Sequence, residues 1–359
     1  MSKKAIIWIV LVIIILVVAV SLFSNTNNRN NRTIVAVIPL SGATARTGEF
    51  AKRGIDMAVA DLKSSRLKVV YEDSQLDPKT AISEFNKYAT NDDTIAYLTV
   101  GSPVAMALKP LAIQDKYILM SIVSAPAYSS PNDFVFRING TAAIEMQNVV
   151  KQISDVGAKR VAIIYQNDDY GKGLLNSLKQ NYSSTLVAEE GFPADATDVR
   201  SQITKIKSKN PDVVFIAAYS KSVGLVARQI KDLALGAELI CGSACDTPDL
   251  LSTAAGGAEG LLVVAPTPKA NADFIARHEA LYKEEPNYVT IRMYDAVKML
   301  AYADEKCSTS SDYKACMKDA IHSEKDFPGA AFPINFESNG DLQDQFIVKK
   351  VVGGVLKVQ

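Results

Sequence analysis

The sequence predicts an α/β fold of two doubly wound lobes, on three observations. Val161, Ala162, Ile163 and Ile164 form an unbroken apolar run of strand length, as expected where a parallel sheet is covered on both faces. The run passes through the polar residues 166–171 into an amphipathic helical pattern that ends near Gln180, which makes a βα unit. The same order recurs upstream, with Val35, Ala36, Val37 and Ile38 as strand, PLSGATARTG as loop and 49–62 as helix. Finally, strand and helix patterns alternate through most of the 359 residues, a length that supports two cores of ordinary domain size.

The first 24 residues stand apart. Lys3 and Lys4 precede an uncharged apolar run from Ala5 to Val20, extending to Phe23, and the polar SNTNNRNNR follows. Its length lies between a signal peptide's apolar core and a full membrane span. Segment 1–24 is therefore expected to be a membrane anchor through residues 5–23, or a signal segment if Ala19 and Ser21 direct cleavage near Ser21. Residues 25–32 read as a linker, and on either reading the remainder is exported, periplasmic or secreted if cleaved.

The next segment carries strands at 34–38, 67–71, 95–100, 117–122 and 134–136, alternating with helices near 50–62, 79–89 and 104–114. Asp77-Pro78 is a helix start, because Asp77 can accept orphan amide hydrogens and Pro78 fits the first turn. Helices near 143–155, 172–182, 199–208, 222–232 and 248–255 then alternate with strands at 161–165, 185–188, 213–218, 238–241 and 261–264. Three helices follow, near 271–283, 289–303 and 312–322. The last strands, 345–351 and 355–358, are joined by the hairpin signal Gly353-Gly354. The chain should cross between lobes near 137–140, 264–267 and 328–336. One lobe would then comprise 33–138 with 266–332, and the other 139–265 with 333–359.

Composition excludes several classes of function. Thirty-nine basic residues balance 39 acidic ones, so no electrostatic grip on nucleic acid is expected. His278 and His322 are the only histidines, neither beside a nucleophile or a metal-ligand spacing, and no nucleophile elbow or phosphate-binding loop is present; an enzyme, a metal and a cofactor are not expected. Cys241, Cys245, Cys307 and Cys316 lie in an exported chain, where disulfides are permitted. Cys307 and Cys316 are placed to close a loop between two helices; Cys241 and Cys245 either pair or remain buried thiols.

In order and spacing, several motifs from about Thr33 to the end resemble the extracytoplasmic ligand-binding proteins of branched-chain amino acid type, which have the type I periplasmic-binding fold. These are Pro39-Leu40-Ser41-Gly42 with Gly48, Tyr71-Glu72-Asp73 leading to Asp77-Pro78, NDDYGKGL, Asn210-Pro211-Asp212-Val213-Val214, Ala258-Glu259-Gly260-Leu261-Leu262, and Phe336 with Asn339-Gly340-Asp341. The resemblance implies two lobes that close over a small molecule and usually deliver it to an ABC permease, with the protein acting as a monomer. An alternative consistent with it is a membrane-tethered ligand-sensing ectodomain that reports through a partner.

By position, the resemblance puts a ligand carboxylate against Ser102, Ser124 and Ala125, with Thr47 where many relatives carry an aromatic residue. Tyr170 and Tyr219 would come from the closing lobe. Relatives that bind α-amino acids typically place acids where this chain has Ala142 and Ala244. Either Asp246, or Asp168 or Asp169, replaces them, or the ligand is an amide or carboxylate without an ammonium, since burying an unpaired ammonium is costly. Arg292 is a further, weaker candidate for a carboxylate partner, set against a surface ion pair.

Overall fold

The computed structural model describes residues 31–62, 66–267 and 269–359. The expected anchor at 1–24 lies outside these, as do residues 25–30 of the expected linker; Arg32 already opens the first strand. Among the described residues no helix is long and apolar enough to cross a membrane.

Alternation within the strands decides the layering. In β1 (Arg32–Ile38), Ile34, Ala36 and Ile38 face one core while Val35 and Val37 face another, so the strand is buried on both sides. It joins β2 (Leu67–Asp73), β3 (Thr94–Val100), β4 (Ile118–Ile122) and β5 (Val135–Arg137) in a parallel sheet of order β2-β1-β3-β4-β5. Helices α1 (Ala45–Asp61), α2 (Pro78–Tyr88) and α3 (Ser102–Asp115) connect these strands. Asp77 caps α2 by accepting the Thr80 amide at 2.7 Å, as its position before Pro78 predicts.

The second sheet is built in the same way. Val161 and Ile163 of β6 (Val161–Gln166) pack under α4 (Ala142–Asp155) and α5 (Asp169–Asn181). Ala162 and Ile164 face α6 (Arg200–Lys207), α7 (Ser220–Asp232) and α8 (Pro248–Ala254). With β7 (Ala188–Phe192), β8 (Val213–Ala217), β9 (Glu238–Cys241), β10 (Leu262–Pro266), β11 (Phe346–Val352) and β12 (Val355–Val358), the order is β12-β11-β10-β9-β8-β6-β7, with β11 and β12 antiparallel to their neighbours. Helices α9 (Ala272–Tyr282), α10 (Tyr288–Cys307) and α11 (Tyr313–Ser323) return to the first lobe, where α10 and α11 cover its sheet opposite α2 and α3.

Several boundaries differ from the sequence expectation. Helix α1 starts at Ala45 rather than 50, which puts Thr47 in its first turn. Strand β7 occupies Ala188–Phe192 rather than 185–188; it is an edge strand, less covered than the central ones, and accommodates an exposed Glu189 and a half-buried Glu190 on its two faces. Ile334, Phe336 and Leu342 sink into the first lobe's core, and Asp341 bridges to Arg137, so the third crossing falls at 343–345 rather than 328–336. Both cysteine pairs are disulfides, Cys307–Cys316 joining the end of α10 to α11 and Cys241–Cys245 across the short turn that follows β9.

Candidate functional site

Strand order sets the position of the site. After β1 the chain turns to β2 on one side, and after β3 to β4 on the other; β6 and β8 diverge likewise towards β7 and β9. Open α/β sheets bind ligands beyond the carboxyl ends of such diverging strands. Here the two crevices face each other across about 450 Å³ of space, part of it open to solvent. Thr47, Ser102, Ser124 and Tyr288 line it from the first lobe, and Tyr170, Tyr219, Ser243, Ala244 and Thr247 from the second.

On the first-lobe side several backbone donors converge. Gly101, at φ +100°, turns the chain sharply into α3, whose N-terminus has no side-chain cap. The Ser102 hydroxyl accepts the amides of Ser124 at 3.3 Å and Ala125 at 3.2 Å, so these hydrogens point to one spot beside the cavity. Arg137, almost fully buried, holds that loop from behind: its guanidinium donates to the carbonyls of Val123 and Ala125 and pairs with Asp341 at 2.7 Å. Asn139 accepts the Val123 amide at 2.7 Å and also lines the cavity.

On the facing side, Asp168 caps α5 by accepting the Gly171 amide at 2.9 Å, which presents Tyr170 at the start of the helix. The Tyr170 hydroxyl accepts the Ala244 amide at 3.2 Å, and its ring lies 4.9 Å from that of Tyr219. The Tyr219 hydroxyl, turned towards the Ser102 amide across the cavity, completes no hydrogen bond. A buried hydroxyl without a partner costs roughly 1–3 kcal/mol. Tyr219→Phe is therefore expected to hold or raise the melting temperature of the ligand-free protein while weakening ligand binding about tenfold, as read by calorimetry on both forms.

One acid dominates the local electrostatics. Glu145, in the first turn of α4, is fully buried; it accepts the Ser243 amide at 2.7 Å, the Ser243 hydroxyl at 3.1 Å and the Ser124 hydroxyl at 3.4 Å. Burial pushes its carboxyl up to about 7, and the three donors only partly offset that. A folded-state value above the unfolded one means that the folded protein holds the proton more tightly. The stability this lends is complete below the ordinary carboxylate range and is lost as pH rises through about 7. Asp295, also pushed up to about 7 by burial, acts with the same sign. The ligand-free protein should accordingly melt at a higher temperature near pH 5 than near pH 8, by scanning calorimetry.

The structure thus brings Thr47, Ser102, Ser124, Tyr170, Tyr219 and Ala244 around one cavity, with the Ala125 backbone at its edge. Asp246 does not reach it: Lys349 of β11 holds both its carboxylate oxygens, at 2.7 and 2.9 Å. Asp168 is spent on capping and Asp169 is exposed, so neither replaces the acids absent at Ala142 and Ala244. Arg292 neither lines the cavity between the lobes nor lies at the surface; it is 1% exposed and pairs with Asp344, which also accepts the Gly140 amide and so ties two crossings to α10. Sequence reasoning missed Asn139, Ser243, Thr247, Tyr288 and Glu145. For Glu145 a signal existed, since it lies one helical turn beyond Ala142 on the same helix.

Comparison with known proteins gives this cavity its context. The sequence profile of the periplasmic binding protein family matches residues 32–354. The chain belongs to that family. Within it, the chain is 29% identical over 336 residues to the Leu/Ile/Val-binding protein BraC3 of Rhizobium johnstonii, covering 87% of this chain and 89% of that one. The leucine-binding protein LivK of Thermotoga maritima superposes with a TM-score of 0.86 at 22% identity, covering 91% of this chain and 97% of that one. A solute-binding protein of an ABC transporter from R. palustris, solved with benzoate, gives 0.81 at 18% identity, with 91% and 95% covered. These two solved structures share the two-lobed fold, and the family is one of solute-binding proteins.

Proposed function

We propose that this periplasmic binding protein captures an amino acid or a related small carboxylate or amide by closing its two lobes, and hands it to an ABC permease. The observation that carries the reading is the cavity itself, walled from both sheets at the edges where their strands diverge. The Ser102 hydroxyl accepts the Ser124 and Ala125 amides and so keeps its own proton to give a carboxylate, joined by the open N-terminus of α3. Tyr170 and Tyr219 supply a flat apolar wall and the unpaired hydroxyl. Leucine and benzoate, named for two of the solved relatives, each combine one carboxylate with an apolar group, the chemistry this lining would suit.

A ligand that bridges both lobes binds the closed form better than the open one, and that difference drives closure. A thermal-shift screen of amino acids, amides and branched or aromatic carboxylates tests the reading. Ligand at about 100 times its dissociation constant adds about 2.7 kcal/mol of stability, so at least one member should raise the melting temperature by several degrees. A broad panel with no shift would contradict it. Residues 5–23 tether the exported protein to the membrane in this reading, and recovery of the full chain in the soluble rather than the membrane fraction would overturn that part.

A further inference from the structure

We propose that Glu145 sets the hydrogen-bond polarity of the cavity, making it select ligands with a protonated or N–H-bearing nitrogen, such as α-amino acids, over their deaminated carboxylates. This rests on the capture reading and specifies its ligand class. Glu145 does not line the cavity. It stands behind two serines that do, Ser124 of the first lobe and Ser243 of the second.

A serine hydroxyl has one proton and two lone pairs. When Ser124 and Ser243 both donate that proton to the Glu145 carboxylate, each can offer the cavity only lone pairs. Two acceptors backed by a buried negative charge favour an ammonium or amide N–H and repel a second carboxylate or an ether oxygen. Among the described residues no other acid competes for this role, because no Asp or Glu lines the cavity and Asp246 is held by Lys349.

The groups packed around Glu145 leave its charge uncompensated. Tyr170 of α5 and Tyr288 of α10 face it, both neutral phenols, and the Asp246–Lys349 pair lies beyond the turn that carries Ser243. No basic side chain contributes to its ionisation, so burial leaves the ligand-free carboxyl half-protonated near neutral pH. A cationic ligand supplies the missing counter-charge and releases a proton on binding. Glu145 is thus a positioning residue that acts through the two hydroxyls.

The test is calorimetric titration of the exported chain with three pairs: L-leucine and isocaproate, L-valine and isovalerate, L-phenylalanine and hydrocinnamate. The amine-bearing member should bind at least about tenfold tighter, and its affinity should rise between about pH 5.5 and 8 with measurable proton release. In Glu145→Gln the side-chain amide can donate to one hydroxyl and turn that proton into the cavity, so both the pH slope and the preference should vanish, while Glu145→Asp should retain part of each. The wild-type pH profile needs no variant to fold. Tighter or equal binding of the deaminated members, or an unchanged slope in Glu145→Gln, overturns the role of Glu145 and leaves capture intact. Failure of all six compounds to bind overturns the amino-acid ligand class and the role of Glu145 together, whereas the capture reading is judged by the broader thermal-shift panel.

Discussion

Replacing Arg137 with Met should cost about 3–5 kcal/mol of unfolding free energy, because it leaves the Asp341 carboxylate in the core without its cation. Arg137 is 1% exposed, and its Nε lies 2.7 Å from Asp341 Oδ1. The same guanidinium satisfies the carbonyls of Val123 and Ala125, which flank the amides offered to the Ser102 hydroxyl. The consequence for function follows from that placement. Once the loop is released, its donors no longer converge, and ligand affinity should fall by about tenfold or more. Urea denaturation and calorimetry measure the two effects. Adding Asp341→Leu removes the unpaired charge, so the double variant should recover much of the stability and none of the affinity.

Tyr170→Ala is expected to cut ligand affinity by at least about a hundredfold and to destabilise the protein by about 3–5 kcal/mol. The ring is 3% exposed and packs on Tyr219, and its hydroxyl takes the Ala244 amide, so the substitution removes a wall and strands a donor. Tyr170→Phe separates the two contributions, since it keeps the wall and loses only the acceptor; it should fall between wild type and Ala in both measurements. If a ligand is in hand and its affinity is the same for Tyr170→Ala as for wild type, the site is misplaced.

The strands are readable in the sequence because doubly covered strands must be apolar on both faces, as at Val161–Gln166 and Thr94–Val100. Strand ends mark where a crevice can form, which is why Tyr170 is legible as a candidate from the order of the chain, whereas Ser102 and Tyr219 are candidates through the family resemblance. Edge strands relax the rule: β7 includes Glu189 and Glu190, so its position is poorly marked. The third crossing is hard to place because 333–342 is pinned by isolated bridges and by Phe336 and Leu342, a pattern with no periodicity to detect.

The acids show the deeper limit. Asp246 and Lys349 meet across 103 residues, and Glu145 meets Ser243 across 98. Whether a carboxylate faces a ligand, an ion pair or a serine is fixed by partners that the local sequence does not contain. Only the three-dimensional arrangement removes Asp246 from the cavity and puts Glu145 behind it.

The most direct test is a crystal structure of the exported chain with whichever compound raises its melting temperature most. That compound should lie between the lobes, its carboxylate at the Ser102 hydroxyl beside the Ser124–Ala125 loop and its body against Tyr170 and Tyr219. A ligand bound to one lobe only, or seated outside the space between Ser102 and Tyr170, would contradict it.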